Sequence, residues 1–125
     1  MTKAILGAFV TAIVLKLFFF DVMVAEGHSM EPAIHDGSVL VVNKLQYGLR
    51  FPGQSEYLVR WAAPRPGEVV IFYAPSGGVA VKRIAALSEK GKLMVQGDNS
   101  LLSYDSRSYG PVPLDSTIGR VLGVR

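Results

Sequence analysis

The 125-residue chain contains no cysteine, which excludes disulfides, thiol nucleophiles and cysteine-based metal sites. Only two histidines are present, His28 and His35, and neither sits with carboxylates at the spacing of a zinc site. Metal chemistry is therefore not expected, and nothing calls for a cofactor. Basic residues form no stripe: the 13 Lys and Arg are scattered, with no run longer than Lys82-Arg83, so nucleic acid is not an expected partner. The net charge of +3 suits an anionic membrane surface instead. There is no internal repeat, and the little helical patterning argues against a bundle.

Long charge-free apolar runs are also scarce. Residues 4–25 read AILGAFVTAIVLKLFFFDVMVA, interrupted by Lys16 and Asp21, so the longest uncharged part is residues 4–15. As one helix the stretch would cover roughly 33 Å, close to the ~30 Å hydrocarbon thickness of a bilayer. The expectation is one N-terminal transmembrane helix over residues 1–25, with Lys16 snorkelling to an interface and Asp21 outside the hydrocarbon. An interfacial or buried helix and a cleaved signal peptide are the alternatives. The amino terminus and Lys3 favour an N-in orientation, which puts residues 26–125 on the periplasmic or extracellular side of the cell membrane.

Beyond Ala25 the chain turns to short apolar runs punctuated by Gly and Pro, the pattern of strands rather than helices. Strands are expected at residues 38–42, 68–73, 79–87, 92–96 and 117–122, with a hairpin through Ser88-Glu89-Lys90-Gly91. Residues 44–67 read as irregular, with Pro52, Gly53, Pro64, Pro66 and Gly67. The aromatics Tyr47, Phe51, Tyr57 and Trp61 in this stretch would pack on the sheet or dip toward a membrane surface. The fold class is mostly β: a small, curved, barrel-like antiparallel sheet forming one domain over residues 26–125.

Two residues stand out chemically. Ser29 follows Gly27, which permits a sharp bend and close backbone approach, and precedes Pro32, which fixes the exit of the chain. The bland reading of such a serine is a turn or cap residue. Lys82 lies in the alternation Val79-Ala80-Val81-Lys82-Arg83-Ile84, where one of two adjacent cations must face the side the sheet buries unless a bulge intervenes. Its bland reading is an edge-strand lysine guarding against aggregation. Its sharper reading is an amine whose desolvation disfavours the charged form, leaving a base able to take the proton of a serine hydroxyl. His28 and His35 are the alternative bases. A third cluster, residues 97–110, is a polar loop in which Asp105 and Arg107 are placed to pair.

Together the three clusters resemble the type I signal peptidases, membrane-anchored serine–lysine proteases that remove signal peptides from exported proteins. Gly27-His28-Ser29-Met30-Glu31-Pro32 is similar to the family's serine motif, and Val81-Lys82-Arg83-Ile84 to its lysine motif. The family's G-D-N signature with its following S-x-D-S-R and glycine is matched by Gly97, Asp98, Asn99, Ser103, Asp105, Ser106, Arg107 and Gly110. Residues 66–72 and the stretch from Asn43-Lys44 to Tyr47-Gly48-Leu49-Arg50 resemble further family segments. The resemblance implies a Ser/Lys dyad, with Ser29 as nucleophile and its backbone N–H in the oxyanion hole, and Lys82 as general base. Ser103 would orient the lysine amine, with Asp105, Arg107, Asp98 and Asn99 as supporting residues. It implies exported preproteins as partners, small residues before the cut, and apolar pocket residues among Met30, Val81 and Ile84. A monomer at the lipid surface is the expected state.

Several positions depart from the family pattern. Gly27 stands where some members carry a hydroxyl residue that helps the oxyanion hole, Gly37-Ser38 where Gly-Asp is usual, and Ser100 where arginine is common. Pro32-Ala33-Ile34 replaces the usual P-T-L. The rival readings are a specialised conjugative-transfer or pilin-processing peptidase of the same chemistry, and a non-catalytic anchored module that binds exported chains.

Overall fold

The computed structural model describes the chain apart from Met1, Pro52, Gly53 and Ser55, and describes Leu17 by its backbone alone. The irregular positions Pro52 and Gly53 therefore lie outside the described residues. Helix α1 covers Thr2–Val14, continues as a π-helical turn over Leu15–Phe19, and gives way to strand β1, Phe20–Val24. Seven strands follow: β2 (Val39–Asn43), β3 (Gly48–Leu49), β4 (Val59–Arg60), β5 (Val69–Tyr73), β6 (Val79–Leu87), β7 (Leu93–Gln96) and β8 (Thr117–Val124). A four-residue helix α2, Ser106–Tyr109, lies between β7 and β8.

The N-terminal stretch corrects the expectation of a transmembrane anchor. At 13 residues, α1 rises only about 20 Å, short of a ~30 Å hydrocarbon layer. No helix among the described residues is long and apolar enough to cross a membrane. The single-pass topology expected over residues 1–25, and the sidedness built on it, are overturned. The cause is local: Phe20, Val22 and Val24 are aromatic or β-branched, and β1 pairs residue for residue with β2, from Phe20↔Asn43 to Val24↔Val39. The last five residues of the apolar stretch before Ala25 thus satisfy their backbone groups in a sheet. Asp21 belongs to that strand, its Oδ1 accepting the Val22 N–H at 2.8 Å.

Six strands form one antiparallel sheet in the order β1-β2-β8-β5-β6-β7, and β3 pairs with β4 separately. Register shifts between Val41 and Val42, between Ile71 and Phe72, and between Ile84 and Ala86 bend the sheet. The curvature is strong enough for the end of β1 and the start of β6, with three strands between them in the order, to line one cleft. The β6–β7 hairpin closes through the expected turn: Ser88 N–H donates to Lys92 O at 2.7 Å and Gly91 N–H to Ser88 O at 2.9 Å.

Both faces of the central strand β5 are buried, which explains its unbroken apolar run. Val70 and Phe72 point into a cluster with Tyr47, Ile84, Leu93, Val95 and Val112. Ile71 points the other way, toward Ala25, Met30, Ile34, Leu40 and Val42. The aromatic residues of 44–67 divide: Tyr47 is in the first core with its hydroxyl donating to Glu68 Oε1 at 2.8 Å, whereas Phe51 and Trp61 are exposed. Tyr57 packs against the same core and donates to Thr117 O at 2.6 Å.

Candidate active site

The second core holds the turn that carries Ser29. Met30, immediately after the serine, is buried beside Ile34 and Leu40, and Ile34 N–H donates to Met30 O at 2.9 Å. Gly27, just before it, adopts φ +88°, a conformation that favours glycine, and its N–H is fixed by Asp36 Oδ1 at 2.8 Å. Ser29 is therefore pinned on one side by apolar packing and on the other by a bend.

Lys82 reaches the same place from β6. It shares a face with Ala80 and Ile84, toward the first core, and is 6% exposed. Its neighbour Arg83 occupies the opposite face, as the alternation requires, so the sheet buries one cation of the pair and not the other. Lys82 Nζ lies 2.7 Å from Ser29 Oγ, hydrogen-bonded to it. Burial pushes the lysine pKa down; nearby Asp105 opposes that shift and Arg107 adds to it. His28, an alternative base, is instead ion-paired through Nδ1 with Glu31 Oε1, which raises its pKa and turns the ring to another partner.

The loop after β7 grips both elements. Asn99 N–H donates to Ser29 O at 2.8 Å, and Asn99 Nδ2 donates to His28 O at 3.0 Å. Asp98 takes a two-pronged bond from Arg83, Nε to Oδ1 and Nη2 to Oδ2, both at 2.8 Å. Arg83 also donates through Nη1 to Gly67 O at 2.8 Å. Asp105 is fully buried and collects Arg107 Nε at 2.9 Å, Arg107 Nη2 at 2.7 Å, Gly97 N–H at 2.9 Å and Ser103 Oγ at 2.6 Å. Burial alone would raise its pKa, but the donors from Arg107, Ser103 and Gly97 outweigh that and hold the carboxyl well below the usual carboxylate range.

Ser103 differs from the expectation in one respect. Its hydroxyl donates to Asp105 Oδ2 and accepts from Gly97 N–H at 3.1 Å, whereas the hydrogen-bond partner of Lys82 Nζ among the described residues is Ser29. The carboxylate competes for the serine proton more strongly than a neighbouring amine, because charge-assisted bonds are the stronger ones. Gly97 explains how the loop approaches so closely. A Cβ there would lie 2.5 Å from Ser103 Cβ and 2.5 Å from Ser29 O, and closer still to Ser103 Oγ.

Beside Ser29 and Lys82 opens a cleft of about 330 Å³, lined by Met23 to Gly27 of the β1 end, by Met30, Ile34 and Leu40, and by Val79 to Val81. Met30 and Val81 are thus at the cleft, but Ile84 is not. At 1% exposure it belongs to the first core, one turn of the alternation deeper than Lys82 on the same face. Arg83, Asp36, Met23 and Ala25 belong to this environment without having been singled out for it. Arg83 alone left a signal, as the second cation of an adjacent pair on a strand. The amide N–H of Ser29 has no acceptor among the described residues.

A family model described as signal peptidase, peptidase S26, matches residues 1–88 and 89–124. The chain belongs to the signal peptidase I family. Signal peptidase I T of Bacillus subtilis (strain 168) is 30% identical over 153 residues, covering 94% of this chain and 79% of the relative. Signal peptidase I of Bacillus caldolyticus is 28% identical over 145 residues, 86% of this chain and 80% of the relative. The mitochondrial inner membrane protease subunit 1 of Xenopus tropicalis is 30% identical over 113 residues, 81% of this chain and 66% of the relative. Membership makes the protein a serine endopeptidase of the signal peptidase I class, whose substrates are exported preproteins.

Proposed function

We propose that the protein cleaves preproteins with Ser29 as nucleophile and Lys82 as its general base. The observation that carries this reading is the 2.7 Å approach of Ser29 Oγ and Lys82 Nζ at one end of an apolar cleft, with the lysine buried. A desolvated, neutral amine accepts the hydroxyl proton as Oγ attacks the scissile carbonyl carbon. The developing oxyanion is met by the free N–H of Ser29. Gly27 N–H is committed to Asp36 Oδ1 and is not free to act as a second donor. Lys82 then returns the proton to the leaving amine as the C–N bond breaks, leaving an ester on Ser29. A water, deprotonated by the same amine, attacks the ester; the Oγ–C bond breaks as that proton passes to Ser29 Oγ, and the product leaves as a carboxylic acid that gives up its remaining proton to solvent.

The strand ladder provides room for an extended substrate. Strand β7 pairs with β6 only from Arg83↔Gln96 onward, so one edge of residues 79–82 is left open beside the cleft. Main-chain bonds to that edge would supply affinity, and the surroundings of Met30, Val81 and Ala25 would accept small apolar side chains before the cut. Asp98, Asn99, Ser103, Asp105 and Arg107 act as positioning residues: Asn99 fixes the serine turn, Asp98 ties that loop to β6 through Arg83, and Asp105 sets the charge near Lys82.

The test is cleavage of an A-x-A preprotein by the detergent-solubilised full chain and by its Ser29→Ala and Lys82→Ala variants. Both variants are expected to lose cleavage by several orders of magnitude, and cleavage by either at the wild-type rate removes its residue from the mechanism. Neither rival reading draws on a particular observation: a non-catalytic module would have no use for a buried amine set against a serine.

A further inference from the structure

The turn that clamps Ser29 ends in an exposed apolar tip that the mechanism above does not use. Leu101 is 93% exposed and Leu102 63%, and neither belongs to either buried cluster. Tyr104, just beyond, is exposed as well and rests edge-on against Tyr109 at 5.1 Å between ring centroids. Solvated loops seldom carry two successive leucines outward without a use for them.

The tip is firmly mounted. Leu102 N–H donates to Asn99 O at 3.0 Å, and Arg107 Nη2, already bound to the buried Asp105, donates to Ser100 O at 3.3 Å. Through Asn99 N–H on Ser29 O the same turn is joined to the nucleophile itself. Its position relative to the cleft follows from the two ends of Ser29. The hydroxyl faces Lys82 and borders the cleft, whereas the carbonyl faces Gly97 and Asn99. None of residues 97–104 lines the cleft. The open edge of residues 79–82 ends where β7 begins to pair, at Arg83↔Gln96, and the Gly97–Ser103 turn follows β7 directly. A polypeptide running along that edge and past Ser29 is thus directed toward the turn that carries Leu101 and Leu102.

We propose that Leu101 and Leu102 form an apolar contact for the polypeptide that follows the scissile bond, selecting apolar over polar residues in its first few positions. The proposal rests on the peptidase reading above and adds to it a determinant on the product-amine side. Selection by two leucines comes from removing apolar surface of both partners from water, and it needs no hydrogen bond from the tip.

The experiment compares kcat/KM for two soluble peptides with identical residues before the cut and either Leu and Phe or Ser and Asp in the positions just after it. The enzyme is the detergent-solubilised full chain, as wild type, L101S/L102S and L101M/L102M. The wild type is expected to favour the apolar peptide by on the order of tenfold, the range that one apolar contact supplies. L101S/L102S should bring that ratio to about one, and L101M/L102M, which keeps apolar bulk, should retain it. A folding or catalytic defect scales both peptides alike and leaves the ratio intact, so the ratio isolates the contact. A wild type without preference, or a preference that survives in L101S/L102S, overturns the proposal. So does an unchanged ratio accompanied by lost flotation with anionic phospholipid vesicles, which would make the tip a lipid contact, or by a change in oligomeric mass, which would make it a contact between copies. If instead the wild type cleaves neither peptide, or Ser29→Ala cleaves both as the wild type does, the peptidase reading itself fails.

Discussion

Gly97→Ala places one methyl group where the Ser29 turn and the Asp105 network meet. The added Cβ would stand 2.5 Å from Ser29 O and 2.5 Å from Ser103 Cβ. Neither atom can swing away: Ser29 O is held by Asn99 N–H, and Ser103 is tied through its hydroxyl to buried Asp105. Gly97 is itself anchored, its N–H donating to both Asp105 Oδ2 and Ser103 Oγ. Relief must come from separating the Ser29 turn from the loop, at the cost of about 1–3 kcal/mol that overpacking usually carries. For a chain of this size that lowers Tm by on the order of 4–12 °C. The displacement falls directly on the Ser29 Oγ–Lys82 Nζ distance, and a shift approaching 1 Å lowers the rate by about a hundredfold. Steady-state kinetics on a preprotein should therefore show kcat reduced roughly ten- to hundredfold with KM changed less, because the cleft lies on the other side of Ser29. Gly27→Ala is the informative contrast: a Cβ there meets nothing within 4 Å, but the backbone sits at φ +88°. Its cost is conformational, about 1–2 kcal/mol, and falls on the bend before the serine. Should Gly97→Ala keep kcat within twofold of the wild type at an unchanged Tm, the close approach of the two loops is not what sets the dyad distance.

Lys82 has a folded pKa below its unfolded value, so the buried ammonium costs stability at low pH and the cost is relieved as pH rises from the folded value toward about 10. Lys82→Met should accordingly raise Tm most in acid and least near pH 10, a trend followed by thermal melts across pH; a uniform shift would contradict the burial argument. The same direction makes wild-type kcat/KM climb with pH as the amine loses its proton, with a midpoint below that of an ordinary lysine, and an acid optimum would exclude Lys82 as base. Asp105 has the opposite sign: its folded pKa is depressed, so its contribution is complete above about pH 4 and fades as pH falls through the folded value. Asp105→Asn should cost roughly 2–3 kcal/mol at pH 7 by weakening the bonds to Arg107 and leaving a buried donor, such as Gly97 N–H, without its acceptor, with the difference from wild type shrinking in acid melts. Asn99→Ala removes only the side-chain bond to His28 O and keeps the backbone bond to Ser29 O, so kcat should fall by roughly five- to tenfold, the worth of one such bond; a loss as large as that of Ser29→Ala would give Asn99 a direct part in catalysis.

Which features could be read from the residues depended on how local their causes are. Period-two alternation requires one of Lys82 and Arg83 to face the buried side of the strand but does not say which; the resemblance of residues 81–84 to a lysine motif is what points to Lys82. Strands β5 and β6 were legible within a residue because their apolar runs are bounded by Gly67 and by Gly77-Gly78. The stretch before Ala25 misled for the converse reason. Apolar composition is common to a membrane span and to a strand, and what decides between them is a partner: β2 lies fifteen residues on from the end of β1 and offers Val39 to Asn43 in register. The alternation within β1 gives no help, because its outward residues Phe20, Val22 and Val24 are as apolar as its inward Met23.

The site shows the same division between what a motif fixes and what only the folded chain fixes. The motif residues Asp98, Asn99, Ser103, Asp105 and Arg107 all gather around Ser29 and Lys82, yet the division of labour among them is set by geometry. Two arginine–carboxylate pairs lie around Ser29 and Lys82. Arg83–Asp98 joins the lysine strand to the loop, and Arg107–Asp105 stiffens the loop from behind. The first pair is partly exposed and the second has a fully buried carboxylate, so only the second places substantial charge close to the amine. Asp105 draws the lysine toward its charged form while burial and Arg107 push it toward the neutral one. By engaging Asp105, Arg107 both orients the carboxylate and offsets its field at Lys82. Replacing Arg107 would therefore leave Asp105 less compensated and raise the Lys82 pKa, moving the rate profile to higher pH without touching either reacting residue. Arg107→Lys, which keeps a cation but not the two-pronged grip, separates these effects. An alkaline shift in Arg107→Ala that is largely reversed in Arg107→Lys assigns the arginine's role to its charge, whereas an equal shift in both assigns it to the fixed orientation of Asp105.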